Sequence, residues 1–203
     1  MELKVVTLAI VAGGAGTRMG FPKQQLEIGG KPVLEYLADR FAWPGPTLLV
    51  TTPGRERPAG VDRFDREAVD AVENQGPLRG VLTALEHAVT ETVIIATVDM
   101  PGLNSSQLIW AIDRLTAQPD LHGMMLQRKI GSETRIEPFP LACRRSAAPI
   151  VAERLKSGNR SIHSLAGPPG FAVETAPLDW PAATWTNLNF PEDLQSFLRS
   201  LQA

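Results

Sequence analysis

Cys143 is the only cysteine in the 203 residues. A lone thiol closes no internal disulfide, so the small disulfide-stapled folds are excluded and a reducing compartment is expected. A large excess of either charge is also missing. The formal net charge of −2 lacks the basic excess of a general nucleic-acid binder. No stretch approaches the roughly 20 consecutive apolar residues of a membrane span. Histidine is sparse: His87, His122 and His163 pair with no cysteine or acid at metal-ligand spacing, which argues against zinc. There is no Gly-x-Ser-x-Gly elbow to support a hydrolase, and no internal repeat or low-complexity tract. Lys4 and the apolar run behind it have the outline of a signal peptide. That run leads straight into a cationic glycine loop which cleavage would destroy, so a cytoplasmic protein is expected.

What is present reads as an ordinary globular chain, 43% hydrophobic and 21% charged. Its length suits one sizeable core, or a core with a small lobe. Strand-like and helix-like segments alternate, which predicts a layered α/β fold with a mainly parallel sheet. Strands are expected at 5–11, 47–51 and 92–98, with a short edge-like piece at 70–72; 61–67 reads as helix or loop. Further strands are expected at 124–126, 139–143 and 171–175. The polar stretch 127–137 reads as a hairpin or a lobe over the site. Helices are expected at 32–41, 80–89, 105–117, 146–155 and 191–201, with a short one at 161–165. Asn104 and Gln107 stand at capping-box spacing for the helix at 105.

The most specific local feature follows the first strand: Ala12-Gly13-Gly14-Ala15-Gly16-Thr17-Arg18-Met19-Gly20-Phe21-Pro22-Lys23. Glycines let backbone N–H groups face a ligand closely, and Arg18 and Lys23 add fixed positive charge, which suits a polyphosphate. It is not a P-loop, because Lys23 follows Pro22 and precedes Gln24 rather than Ser or Thr. It is not the dinucleotide fingerprint either: Met19 stands at the third glycine position, and Glu35 lies inside an expected helix rather than at a strand end.

Other residues extend this chemistry. Asp99 ends the apolar run 93–98, at the strand end where open α/β sheets bind ligands. A carboxylate there holds Mg²⁺ or caps the turn at Pro101; magnesium commonly takes one or two carboxylates plus phosphates. Asp70 is a second carboxylate for a ribose hydroxyl or Mg²⁺, or an exposed loop acid. Gly76-Pro77-Leu78-Arg79-Gly80 opens a helix with a rigid turn whose backbone suits a base edge. Asn189 and Glu192 have capping-box spacing for the last helix. Asn187, not needed as a cap, offers an amide to a polar acceptor.

Taken in order, these segments resemble the molybdenum cofactor guanylyltransferases, the MobA-like nucleotidyltransferases. The resemblance runs from Ala12–Lys23 and Gly30-Lys31-Pro32 through Gly76–Gly80 and Val98-Asp99-Met100-Pro101. It continues through Pro138–Ala142 with Arg144-Arg145 and Ser157–Ser161, and ends at Asn187–Leu194. It implies a Rossmann-like three-layer fold of the nucleotide-diphospho-sugar transferase type, in a single domain over 1–203. Residues 1–103 would be the nucleotide half and 104–203 the acceptor half. It implies transfer of GMP from Mg-GTP to molybdenum-molybdopterin with release of pyrophosphate. Arg18, Lys23 and Asp99 would be catalytic, with Mg²⁺ on Asp99. Val11, Ala12, Gly13, Gly14, Lys23, Thr51, Asp70, Gly76, Pro77, Leu78 and Asp99 would meet the nucleotide, and Asn187 and Asn189 the pterin. It further implies transient contact with molybdoenzyme maturation proteins, and neither nucleic acid nor membrane as a partner. Val11 stands where Leu is common, Thr51 where Asn is familiar and Phe190 where Thr is frequent. A cytidylyltransferase on the same pterin, a sugar-phosphate nucleotidyltransferase and a non-enzymatic nucleotide-binding protein are the rival expectations.

Overall fold

The alternating apolar segments build one seven-stranded sheet in a computed structural model that describes residues 2–13, 19, 22–54, 56–72 and 75–201. Strands β1 (Val6–Val11), β4 (Thr47–Thr51), β5 (Arg66–Val69) and β6 (Thr92–Thr97) run parallel in the order β5-β4-β1-β6. Beyond β6 the order continues β8 (Glu133–Arg144), β7 (Gly123–Ile130), β9 (Phe171–Thr175). Only β8 runs against the others, because it pairs antiparallel with both β6 and β7 while β9 pairs parallel with β7. A two-stranded ribbon of β2 (Glu27–Ile28) and β3 (Lys31–Pro32) stands apart. All six residues of β1 are buried, so both faces of the centre are covered, as a near-continuous apolar strand requires.

The helices are α1 (Val33–Phe41), α2 (Pro77–His87), α3 (Ser105–Thr116), α4 (Ala148–Lys156) and α5 (Pro191–Ser200). Helix α2 packs on β1, β4, β5 and β6 and carries α4 on its flank, while α3 packs on β6, β7 and β8. Helix α1 meets α5 through an edge-on Tyr36–Phe197 contact with ring centroids 6.4 Å apart. The expected capping box of α3 is present. Asn104 Oδ1 accepts from the Ser106 N–H at 2.9 Å, and Gln107 Oε1 accepts from the Asn104 N–H at 2.8 Å.

Several boundaries differ from the sequence expectation. The edge strand β5 occupies Arg66–Val69, not 70–72, and follows a 3-10 turn at Val61–Arg63. Only Ala68 of that strand is buried, so an edge strand wet on most positions carries little apolar signal. Helix α2 starts at Pro77, where proline is tolerated as the first helical residue. Strands β7 and β8 run the length of the polar stretch and close in a tight turn at Gly131, which adopts a φ of 62°. Their outer ends, Lys129–Ile130 and Glu133–Arg135, are exposed. The ladder continues past the core there, and no burial pattern records it.

Candidate active site

The loops at the carboxyl ends of β1, β4, β5 and β6 enclose a cleft of about 410 Å³. In an open α/β sheet this is the end where ligands bind, at the place where strand order reverses. Here that place is β1, whose successor β4 lies on one side and β6 on the other. Val11 and Thr97 pair at the ends of β1 and β6, and both line the cleft. Gly13 carries the chain past Thr52 so closely that a Cβ on it would lie 2.7 Å from Thr52 Oγ1.

Lys23 and Asp99 meet in this cleft. The Lys23 ammonium donates to Asp99 Oδ2 at 2.6 Å and to Asn189 Oδ1 at 2.7 Å. The two charged side chains are 14% and 20% exposed, so their attraction is screened less than that of a surface pair. Three parts of the chain place them. Lys23 opens a 3-10 turn, Lys23–Gln25. The Val98 N–H still donates to Val11 O at 3.1 Å, which leaves Asp99 immediately beyond the sheet. The Leu188 N–H donates to Asp99 O at 2.8 Å and ties the C-terminal segment to the same turn.

Asp70 sits one residue beyond β5, its N–H donating to Thr51 O at 2.8 Å. It is buried, and its Oδ1 has no hydrogen-bond partner. Burial pushes its carboxyl above the usual carboxylate range, partly offset by the nearby Thr83 hydroxyl and the Arg79 guanidinium. Gly76 and Pro77 line the cleft as expected. Gly76 adopts a φ of 74° and presses on Arg160, with an added Cβ 2.9 Å from Arg160 O. That combination calls for glycine.

Some expected residues lie elsewhere. Thr51 turns its hydroxyl to Glu67 Oε1 at 3.0 Å and lines a separate hollow of about 210 Å³. Thr52, the next residue, lines the cleft and borders that hollow as well. Leu78 and Ala12 are fully buried in the core and do not line the cleft; Ala12 spends its N–H on Val50 O at 2.9 Å. Asn187 donates to Trp185 O at 3.4 Å and faces another hollow, with Asp193 and Phe197. Asn189 does not form the expected cap with Glu192. Its side chain reaches Lys23, and Asp193 Oδ2 accepts from the N–H groups of Asn189 and Phe190 at 2.9 and 2.8 Å. Gly14 and Arg18 lie outside the described residues. Sequence reasoning missed Thr52, Thr97 and Arg79 as residues that line the cleft. Strand alternation from Thr51 was the available signal for Thr52, and the rigid turn at Gly76–Gly80 was the signal for Arg79.

Residues 8–168 match the MobA-like NTP transferase domain. The chain belongs to that family. It is a nucleotidyltransferase, and the matched MobA-like segment contains Lys23, Asp70 and Asp99, while Asn187 and Asn189 lie beyond it. A probable molybdenum cofactor guanylyltransferase of Deinococcus radiodurans is 30% identical over 189 residues, 93% of this chain and 92% of that protein. Among solved structures, molybdopterin-guanine dinucleotide biosynthesis protein A of Archaeoglobus fulgidus superposes with a TM-score of 0.79 at 20% identity, covering 97% of this chain and 98% of that one. The 2-C-methyl-D-erythritol 4-phosphate cytidylyltransferase of Thermus thermophilus gives 0.71 at 16% identity, covering 97% and 98%. These two establish the fold: the three-layer, mostly parallel sheet of the nucleotide-diphospho-sugar transferases.

The donor chemistry of this MobA-like cleft is compatible with magnesium. Among the described residues no three His, Cys, Asp or Glu side chains gather to hold a metal unaided. Asp99 supplies one hard oxygen donor group at the cleft, which is what Mg²⁺ takes from a protein when substrate phosphates and waters supply the rest. No helix among the described residues is long and apolar enough to cross a membrane.

Proposed function

We propose that this chain transfers GMP from Mg-GTP to molybdenum-molybdopterin, forming molybdopterin guanine dinucleotide and releasing pyrophosphate. The observation that carries the reading is the Lys23 ammonium held between Asp99 and Asn189, in a chain whose relatives include a probable molybdenum cofactor guanylyltransferase. Nucleotide occupies the half built by residues 1–103, and the acceptor approaches from the half built by 104–203. Asn189 belongs to the second half yet touches the lysine of the first, so the reacting groups converge on Lys23.

An oxygen of the acceptor's terminal phosphate attacks the α-phosphorus of GTP. The bond from that phosphorus to the bridging oxygen breaks, and pyrophosphate leaves with the electron pair. The attacking oxygen is already anionic, so no strong general base is needed. Positioning and charge neutralisation carry the rate. Lys23 supplies a fixed cation to the phosphates, and Arg18 adds a second from its place in the glycine loop. Asp99 is the residue that would hold Mg²⁺, which supplies further charge neutralisation when bound. Lys23 then exchanges its contact with Asp99 for the phosphates, while Asn189 keeps it oriented. Gly13, Gly14 and Gly76 offer backbone groups to the nucleotide, and Asp70 a carboxylate to the ribose or base. The reaction takes place in the cytoplasm, with transient contact to molybdoenzyme maturation proteins at delivery.

The test is thermal shift with Mg²⁺ and each of GTP, CTP, ATP and UTP, followed by pyrophosphate release with molybdopterin present. Stabilisation by GTP and acceptor-dependent pyrophosphate release are expected. Stabilisation by CTP alone would replace guanylyl with cytidylyl transfer. Nucleotide binding without pyrophosphate release would point to a sensor.

A further inference from the structure

Asn189 lies beyond the segment that matches the family domain, residues 8–168, yet its Oδ1 accepts from the Lys23 ammonium at 2.7 Å. A lysine ammonium has three donors, and Asp99 takes another of them. When phosphates draw Lys23 away from Asp99, Asn189 is the contact that still sets its direction. An amide on a connecting segment does this only if its own backbone is fixed.

Two anchors fix it. On one side the Leu188 N–H donates to Asp99 O at 2.8 Å, and the Leu188 side chain is fully buried. On the other, Asp193 Oδ2 accepts from the Asn189 N–H at 2.9 Å and from the Phe190 N–H at 2.8 Å. The Asp193 N–H donates in return to Phe190 O at 3.0 Å. Asp193 is itself carried by α5, which the buried Phe197 roots against Tyr36 of α1.

The second anchor exceeds what the helix needs. Phe190 is the N-cap of α5 and Asp193 the third helical residue. An acid at that position ordinarily reaches back to the N-cap N–H alone. The bond to the Asn189 N–H goes to a residue outside the helix, the one that holds Lys23. Glu192, an exposed acid in the same first turn, already complements the helix dipole. Resting on the guanylyl reading above, in which Lys23 serves the phosphates, we infer that Asp193 is a positioning residue for the transfer: its carboxylate pins the Asn189 backbone, so that the Asn189 amide keeps the Lys23 ammonium in place. Asp193 acts through Asn189, not on the reacting atoms.

The experiment uses the full chain as wild type, Asp193→Ala, Asp193→Asn, Glu192→Gln, Asn189→Ala and the Asn189→Ala/Asp193→Ala double variant, each first shown to melt cooperatively. If Asp193→Ala does not fold, Asp193→Ser takes its place, its hydroxyl being too short to reach both N–H groups. Turnover is read as acceptor-dependent pyrophosphate release. Asp193→Ala should lower kcat about five- to tenfold, as loss of an orienting hydrogen bond does. In the Asn189→Ala background the same change should cost nothing further, because the two residues act as a unit. Asp193→Asn, whose amide oxygen still accepts from the two N–H groups, should keep most of the wild-type kcat, although it removes the same charge as Glu192→Gln. A merely structural acid would lower kcat by the same factor with or without Asn189; that result, or wild-type turnover in Asp193→Ala, overturns the inference. A second readout needs no reaction: the Cε signal of Lys23 in ¹³C-lysine-labelled protein, identified by its loss in Lys23→Arg, with Lys31 as the internal reference. It should shift alike in Asn189→Ala and Asp193→Ala and stay in place in Asp193→Asn; an unmoved signal in Asp193→Ala overturns the inference. If wild type releases no pyrophosphate from GTP with molybdopterin present, the guanylyl reading fails, and the lysine signal still decides whether Asp193 holds Asn189 on Lys23.

Discussion

Lys23 and Asp99, 76 residues apart in sequence, form a 2.6 Å ion pair at the floor of the cleft. The pair keeps a cation and a carboxylate in place before any substrate arrives, so little reorganisation is needed when phosphates bind. Each partner also neutralises the other in a partly buried setting.

Lys23→Ala and Asp99→Asn should therefore fold, with altered stability, and lose turnover. Removing one such electrostatic contact typically costs about 10²–10³ in rate. Pyrophosphate release at saturating substrates measures this. Wild-type turnover in either purified variant would overturn the roles assigned to them.

The two asparagines should separate. Asn189 holds Lys23 at 2.7 Å, whereas Asn187 faces Trp185 and a different hollow. Asn189→Ala should lower kcat about tenfold, from loss of one hydrogen bond to a charged group worth roughly 1.5–3 kcal/mol. Asn187→Ala should leave kcat near wild type and act, if at all, on KM for the acceptor. Equal effects on kcat would mean that the contact with Lys23 is irrelevant to the chemistry.

Asp70 gives a pH signature. Its carboxyl is raised above 3.8 by burial. Between the unfolded and folded values the native state holds the extra proton, so its contribution to stability falls as pH rises through that window. Below both values the group is neutral in either state and the penalty is absent. Asp70→Asn should therefore melt higher than wild type at neutral pH, with the difference shrinking as pH falls toward 3.8. The same change should weaken nucleotide binding, since a group destabilising in the free protein is retained for its ligand. Melting curves across pH, with and without nucleotide, test both halves.

The parts of this site legible in the sequence were those with strong local constraints. Strands β4 at Thr47–Thr51 and β9 at Phe171–Thr175 stand where their apolar runs lie, and Asp99 follows the apolar run of β6 as its sequence implies. What escaped was decided by long-range packing. Thr52 rather than Thr51 faces the cleft because β4 pairs with β1 in one particular register. Asn189 looks like a helix cap locally, yet the tertiary fold gives it to Lys23 and hands the capping to Asp193. The outer hairpin of β7 and β8 is polar because water, not the core, covers it.

The turn carrying Asp99 is braced from outside the cleft, and Gly102 is where the brace is tightest. Arg40 of α1 donates to Leu103 O at 2.6 Å and to Gly102 O at 3.0 Å. On the other side Gly102 lies flat against the segment that ends in Asn187 and Asn189; a Cβ on it would fall 1.7 Å from Ala183 O. Backbone cannot give way as a flexible side chain can. Gly102→Ala should push the 183–189 segment outward, at a cost of about 1–3 kcal/mol or more for overpacking, and loosen the Leu188 bond to Asp99 O. The expected result is a lower melting temperature together with reduced kcat, as Asn189 draws away from Lys23. Arg40→Met, which removes the brace without inserting an atom, should lower stability less and leave the Asn189 contact in place. If Gly102→Ala matched wild type in both melting and turnover, the segment would not be held against Asp99 in solution.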